Sequence, residues 1–137
     1  MGLGNVPSIE LAEKLVRIAP KGLSKVFYSD SGSTAVEIAL KIAFQYWQNA
    51  KLKHQRTKEP KNKKTKFITL QNAYHGDTIG SVSVGGIDLF HKIYKPLLFK
   101  SYKAPVDLAV IEKIMEAHNQ DIAALIIEPL IQAAAGM

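Results

Sequence analysis

Residues 26–34 read Val26-Phe27-Tyr28-Ser29-Asp30-Ser31-Gly32-Ser33-Thr34 and decide the fold, because apolar, polar and helix-forming residues follow each other there. The apolar part predicts a buried strand over 25–28, and the residues after Gly32 predict a helix. The first amides of a helix have no partner within it and commonly bind phosphate. Gly32 also lets a ligand approach the backbone closely. The stretch predicts a phosphate-suited turn, although Ser31 and Ser33 could instead cap a surface helix.

The rest of the chain alternates between helical and extended patterns. Such alternation predicts an α/β fold with a mostly parallel sheet flanked by helices. The predicted elements are a packing helix over 7–19 capped by Ser8, a helix that starts near Gly32 with Thr34 and Glu37 as a capping box, a strand over 66–70, a helix over 107–118 and a strand over 122–127.

Apolar residues at helical spacing predict which faces pack inward. The first helix has such a stripe, and the helix over 107–118 has another. The expected inward residues are Leu11, Ala12, Leu15, Val16 and Ala19 in the first helix, Ala35, Val36, Ala39, Leu40, Ala43, Phe44 and Trp47 in the second, and Leu108, Ile111, Ile114 and Met115 in the last.

The composition is that of an ordinary globular domain, with 137 residues, 47% hydrophobic content and 22% charged residues. There is no cysteine, so neither disulfides nor thiolate metal sites are expected. No apolar run reaches the length of a membrane span, and the first residues lack the pattern of a signal peptide. These features predict a cytoplasmic protein without a membrane partner.

The net charge of +6 is concentrated in residues 51–66, which are rich in lysine. This segment contains no aromatic residue, whereas nucleic-acid-binding surfaces combine basic and aromatic side chains. We therefore predict a basic surface loop and no nucleic-acid partner. A basic nucleic-acid-binding module is the weaker alternative.

A second polar turn, Tyr74-His75-Gly76-Asp77, follows the strand over 66–70. Ligands of open α/β sheets collect at the carboxyl ends of strands, where both polar turns are predicted to lie. The sequence has no dinucleotide-binding, P-loop or H-E-x-x-H motif. Its histidines lack metal-ligand spacing, so no metal site is predicted.

These turns carry a resemblance to a known family. The segments 27–33, Asn72-Ala73-Tyr74-His75-Gly76-Asp77-Thr78 and Ile126-Ile127-Glu128-Pro129 resemble the class III aminotransferases, which depend on pyridoxal phosphate (PLP). The block 74–78, with residues 44–47, is most similar to the biotin-biosynthesis branch, while another class III branch stays an alternative. The resemblance implies that residues 1–137 are part of the large domain of a fold-type I PLP-dependent transferase.

The resemblance also implies roles for individual residues. Gly32 and Ser33 would bind the cofactor phosphate, and Tyr74 would lie against the pyridine ring. His75 and Glu128 would lie near the cofactor and the substrate. The implied partners are a small-molecule amino donor and a keto acceptor, and the complete family member is expected to be a homodimer.

The Schiff-base lysine of the family lies downstream of the Glu-Pro strand, and no lysine of this sequence stands in its context. We therefore expect a fragment of an aminotransferase that is inactive alone. A noncatalytic remnant that binds phosphate compounds or PLP is the alternative. The connection between Pro105 and Asp107 also looks shorter than in relatives.

Overall fold

A three-stranded parallel sheet with helices on both faces forms the centre of the protein. The computed structural model describes residues 4–53 and 64–135. The strand order is β2-β1-β3, which confirms the predicted α/β class. The elements are α1 (Val6–Ile18), α2 (Gly32–Lys53), β1 (Lys66–Leu70), α3 (Ile79–Val84), α4 (Asp88–His91), β2 (Tyr102–Ala104), α5 (Leu108–His118) and β3 (Ile122–Ile126), with 3-10 turns at Lys92–Leu97 and Ala133–Ala135.

The central strand is β1, which has the bounds that the sequence predicts. It pairs in parallel with β2, where Ile68 is opposite Tyr102, and with β3, where Ile68 is opposite Leu125. Its last four residues are buried, as expected for a strand covered on both faces. The carboxyl ends of all three strands therefore meet at one edge of the sheet.

The core has two halves because alternate residues of a strand point to opposite faces. On one face, Phe67 packs with Leu40 of α2 and Val84 of α3. On the other face, Ile68 packs with Ala104 and Ile122, and α5 covers them through two partly buried isoleucines, Ile111 and Ile114.

The predicted inward stripes are too wide. In α5, Leu108 is 79% exposed and Met115 is 42% exposed, so their predicted burial is wrong. In α2, Leu40 is buried while Phe44 is 42% exposed. A three-stranded sheet is narrow. Within the described residues, it contacts only the central apolar residues of each helix and leaves the outer ones exposed.

The first helix begins earlier than predicted. Asn5 caps α1, because its side-chain oxygen accepts a hydrogen bond of 3.0 Å from the Ser8 amide. The prediction of Ser8 as the cap is wrong, since Pro7 fits the first turn and lets the helix start before it. No residue of α1 is buried, and its expected inward residues Leu11 and Leu15 are exposed.

The predicted strand over 25–28 does not form. Phe27 is 74% exposed, and the Tyr28 hydroxyl donates a 2.5 Å hydrogen bond to the Ser8 carbonyl. A strand needs a neighbour for its backbone hydrogen bonds, and residues 4–53 and 64–135 provide none beside this segment. The segment is preceded by a turn at Gly22, which has a φ of 101°.

The ends of the basic segment belong to regular elements. α2 continues to Lys53, and β1 begins at Lys66. Lys64 is half-buried, with its ammonium group 4.4 Å from the centre of the Trp47 ring. Residues 54–63, which carry most of the predicted basic loop, lie outside the described residues.

No helix in the described part of the chain is long and apolar enough to cross a membrane.

Candidate cofactor site

The candidate site begins at the N-terminus of α2. Ser31 is the cap, because its hydroxyl oxygen accepts from the Thr34 amide at 3.2 Å and its carbonyl accepts from the Ala35 amide at 3.0 Å. The helix start near Gly32 is confirmed. The capping box of Thr34 and Glu37 is wrong, since Thr34 lies inside the first turn and its hydroxyl contacts the Ser29 hydroxyl at 2.6 Å.

The first two amides of α2, those of Gly32 and Ser33, donate to no group among the described residues. The space beside Gly32 is open, because a Cβ atom built there would meet nothing within 4 Å. α2 has 22 residues, so the positive end of a long helix dipole lies at these amides. This place suits an anion.

The second polar turn lies directly against the first. Ser33 and Gly76 are in contact, and a Cβ atom on Gly76 would lie 2.0 Å from the Ser33 hydroxyl oxygen. The Asp77 amide donates to that oxygen at 3.2 Å. Gly76 has a φ of 116°, which favours glycine. The structure thus brings together the two turns that the sequence predicts at one edge of the sheet.

A carboxylate connects the aromatic residue of this turn to a buried histidine. The Tyr74 hydroxyl donates to one Asp77 oxygen at 2.6 Å, and His91 Nε2 lies 3.1 Å from the other. The Tyr74 and His91 rings are nearly parallel, with centres 6.5 Å apart. The hydrogen bond to Asp77 raises the pKa of Tyr74, and the bonds from Tyr74 and His91 lower the pKa of Asp77. Tyr74 therefore keeps its proton and a fixed ring orientation.

His75 is half-buried beyond the end of β1. Its Nε2 lies 3.3 Å from the hydroxyl of Thr69, a fully buried residue of the central strand. Burial lowers the pKa of His75, and the nearby Glu128 carboxylate offsets only part of this change. The imidazole is therefore mainly neutral at pH 7.

We expect this burial to appear in the pH dependence of folding. The folded chain binds a proton on His75 less readily than the unfolded chain, whose imidazole titrates near 6.5. The free energy of unfolding should therefore fall as the pH drops below about 6.5. Urea unfolding between pH 7 and pH 5 should show a smaller decrease in His75→Gln than in the wild type. An NMR titration that places the pKa of His75 at or above 6.5 would contradict this assignment.

Glu128 and Gln132 carry polar atoms without partners at the end of β3. Glu128 Oε2 and both polar atoms of the Gln132 side chain are buried and make no hydrogen bond within the described residues. Both side chains line a cleft of about 460 Å³ with apolar walls from Leu70, Ile111 and Leu125. The Glu128 carboxylate is close enough to His75 to influence its pKa, and its buried oxygen is an acceptor without a partner among the described residues.

Several residues around the site were missed by sequence reasoning. Glu37 accepts hydrogen bonds from the amides of Gly80 and Ser81, and His91 contacts Asp77. No local pattern signals such contacts, because the partners are far apart in the sequence. No group of three or more His, Asp or Glu side chains that could hold a metal ion occurs in residues 4–53 and 64–135.

The chain as a whole matches a known class of protein. The family model for class III aminotransferases matches residues 1–137, so the chain belongs to the class III aminotransferases. This family consists of PLP-dependent enzymes. The chain is 49% identical to the adenosylmethionine-8-amino-7-oxononanoate aminotransferase of Anoxybacillus flavithermus and 50% identical to that of Staphylococcus aureus, over its whole length. It covers 32% and 33% of these two proteins.

Solved structures agree with this assignment. The crystal structure of the aminotransferase of the same name from Methanocaldococcus jannaschii is 46% identical, with a TM-score of 0.87 over 100% of this chain and 30% of its own. A transaminase from the marine bacterium Virgibacillus is 29% identical, with a TM-score of 0.82 over 98% of this chain and 30% of its own. The sheet and its helices are therefore part of the fold of a PLP-dependent transaminase. The chain spans about a third of the length of the curated relatives it matches.

The chemistry of the residues at this position fits the phosphate group of PLP. The free amides of Gly32 and Ser33 suit a phosphate group, and the open space beside Gly32 leaves room for it. Tyr74 belongs to the turn that contacts Ser33, and its hydrogen bond to Asp77 fixes its ring.

Proposed function

We propose that this chain forms the phosphate-binding and ring-binding half of a PLP site in an aminotransferase. The observation that carries the proposal is the direct contact between Ser33 and the turn at Gly76 and Asp77, which joins an anion-suited helix end to an aromatic ring. PLP supplies an electron sink that allows an amino group to move between a donor and a keto acceptor. The protein supplies binding, orientation and the exclusion of water.

Each residue has a distinct task in this proposal. The amides of Gly32 and Ser33 donate to the phosphate, where the helix dipole adds favourable electrostatics. Tyr74 presents its ring to the pyridine, and Asp77 fixes that ring by accepting the phenol proton in a hydrogen bond. The protonated phenol adds no negative charge beside the cofactor.

His75 and Glu128 would lie near the cofactor and the substrate in this proposal. The neutral imidazole of His75 offers a hydrogen bond without adding a positive charge. Glu128 holds an unpaired acceptor oxygen that is ready for a donor on the cofactor or the substrate. These two roles come from the resemblance, and the positions of both side chains are compatible with them.

For the whole protein, we propose the reaction that the relatives' name indicates. The keto acceptor would be 8-amino-7-oxononanoate, which becomes 7,8-diaminononanoate in biotin biosynthesis, with adenosylmethionine as the amino donor. The identities of 49% and 50% to enzymes of this name support this branch over other class III branches. We further propose a homodimer in the cytoplasm, without a nucleic-acid partner.

Absorbance spectroscopy with PLP tests this function. We expect the 137-residue chain to bind PLP saturably and to bind pyridoxal, which lacks the phosphate, at least about tenfold more weakly. Because the covalent lysine is expected outside these residues, borohydride should fix PLP on no single defined lysine.

Two results would contradict this account. The absence of saturable PLP binding would exclude the proposed half-site. A stoichiometric adduct on one lysine after borohydride, located by mass spectrometry, would instead show that this sequence contains the covalent lysine.

A further inference from the structure

We infer that Glu37 is a positioning residue for the candidate cofactor site, and this inference rests on the proposed function. Its Oε1 atom accepts from the Gly80 amide at 2.6 Å and from the Ser81 amide at 3.3 Å. These amides are at the start of α3, which would otherwise leave them without partners. A side chain of α2 therefore caps a different helix, 43 residues further along the chain.

The fit between Glu37 and α3 is close. A Cβ atom on Gly80 would lie 2.3 Å from Glu37 Oε2, so a side chain at this position would displace the carboxylate from where it now lies. Gly80 and Ser81 are buried, and a carboxylate at a helix N-terminus forms charge-assisted hydrogen bonds. Glu37 thus fixes α3 with respect to α2 at a buried point.

A second connection lies one helical turn before the first. The Ser81 hydroxyl donates to the Ser33 carbonyl at 3.1 Å, and the Asp77 amide donates to the Ser33 hydroxyl at 3.2 Å. Ser33 and Glu37 are four residues apart, so they lie on the same face of α2. Two attachment points fix both the distance and the angle of the segment from Asp77 to Ser81.

This arrangement explains why the Tyr74 turn sits against the helix end. Without Glu37, the polar contacts between α2 and the segment from Asp77 to Ser81 would be reduced to the hydrogen bonds of Ser33. The ring and the phosphate site would then lose their fixed separation. Glu37 itself contacts neither the open amides nor the Tyr74 ring. Its role is to set the distance and angle between the helix end and the Tyr74 turn. A residue that only capped α3 would stabilise that helix without affecting this geometry.

The first test measures PLP affinity in variants of the 137-residue chain. We expect Glu37→Ala to raise the Kd for PLP by at least about tenfold, and Glu37→Gln, which keeps an acceptor, to have a smaller effect. The circular dichroism induced in bound PLP should also shrink at saturation, because the ring is no longer held at one angle.

The matched control is Ile114→Ala, which removes packing on the opposite face of the sheet. It should lower the Tm at least as much as Glu37→Ala, but leave the Kd within about twofold of the wild type. If both variants weaken PLP binding equally when folded, Glu37 acts only through stability and the inference is wrong.

A second test needs no cofactor and separates this inference from the proposed function. In Glu37→Ala, hydrogen exchange of the Asp77 amide should accelerate by at least about tenfold under conditions where the chain stays folded, but not in Ile114→Ala. Unchanged exchange at Asp77 would overturn the positioning role. If exchange accelerates while the wild type fails to bind PLP, the positioning role stands and the proposed function falls.

Discussion

Gly76→Ala is expected to remove most PLP binding and to lower the free energy of unfolding by at least about 2 kcal/mol. The φ of 116° at this position is unfavourable for alanine. The new Cβ would also lie 2.0 Å from the Ser33 hydroxyl oxygen and 2.9 Å from the Ser33 Cα atom, so the backbone itself must move. The turn that carries Tyr74 would separate from the helix end. Urea unfolding and PLP titration measure the two effects.

Gly22→Ala is the matched control, because it introduces the strain of a positive φ without a clash between the new Cβ atom and a neighbouring residue. Gly22 also has a positive φ, 101°, but a Cβ atom there meets nothing within 4 Å. We expect this variant to lose about 1 kcal/mol of stability and no PLP affinity. Equal losses in the two variants would mean that the contact between Gly76 and Ser33 does not organise the site.

Ile68→Ala is expected to cost about 2–5 kcal/mol of folding free energy, a large fraction of the total stability of a domain. Ile68 is fully buried in the central strand, where it contacts Ala104, Ile122 and the inner face of α5. Its removal leaves a cavity between β1 and that helix. Thermal unfolding followed by circular dichroism measures the loss.

Ile93→Ala provides the comparison for this core substitution. Ile93 is 79% exposed in the 3-10 turn Lys92–Leu97, so its truncation should change the free energy of unfolding by less than about 0.5 kcal/mol. If Ile68→Ala cost no more than Ile93→Ala, β1 would not be the centre of the core.

The elements that could be predicted from the sequence are those with strong local signals. β1 has the predicted bounds, and α5 follows Asp107, whose carboxylate accepts from the amides of Ala109 and Val110. β3 ends one residue before its predicted end. Continuous apolar runs and a capping side chain are enough to place such elements.

Other features depend on partners that local pattern does not reveal. β2 consists of only three residues, tyrosine, lysine and alanine, which have no strong strand pattern. Its extended conformation therefore depends on its pairing with β1. The segment over 25–28 shows the reverse case, since it has strand composition but no described neighbour. The local pattern places Glu37 in a capping box with Thr34, whereas its actual partner is the backbone of α3.

The candidate site was predictable in its residue types but not in its connections. The family resemblance implied roles for Gly32, Ser33 and Tyr74, and the geometry places their two turns in contact. The contacts of Asp77 with Tyr74 and His91 could not be read from the sequence, because His91 lies 14 residues beyond Asp77. Long-range hydrogen bonds of this kind appear only once the chain is folded.

NMR of the backbone amides during a PLP titration tests the central claim most directly. We predict that PLP shifts the amide signals of Gly32 and Ser33, together with those of the Tyr74 turn, and that pyridoxal leaves the signals of Gly32 and Ser33 almost unchanged. Equal shifts with both ligands would contradict the claim. So would PLP-dependent shifts confined to the lysine-rich residues 51–66, because the helix end would then not be the phosphate site.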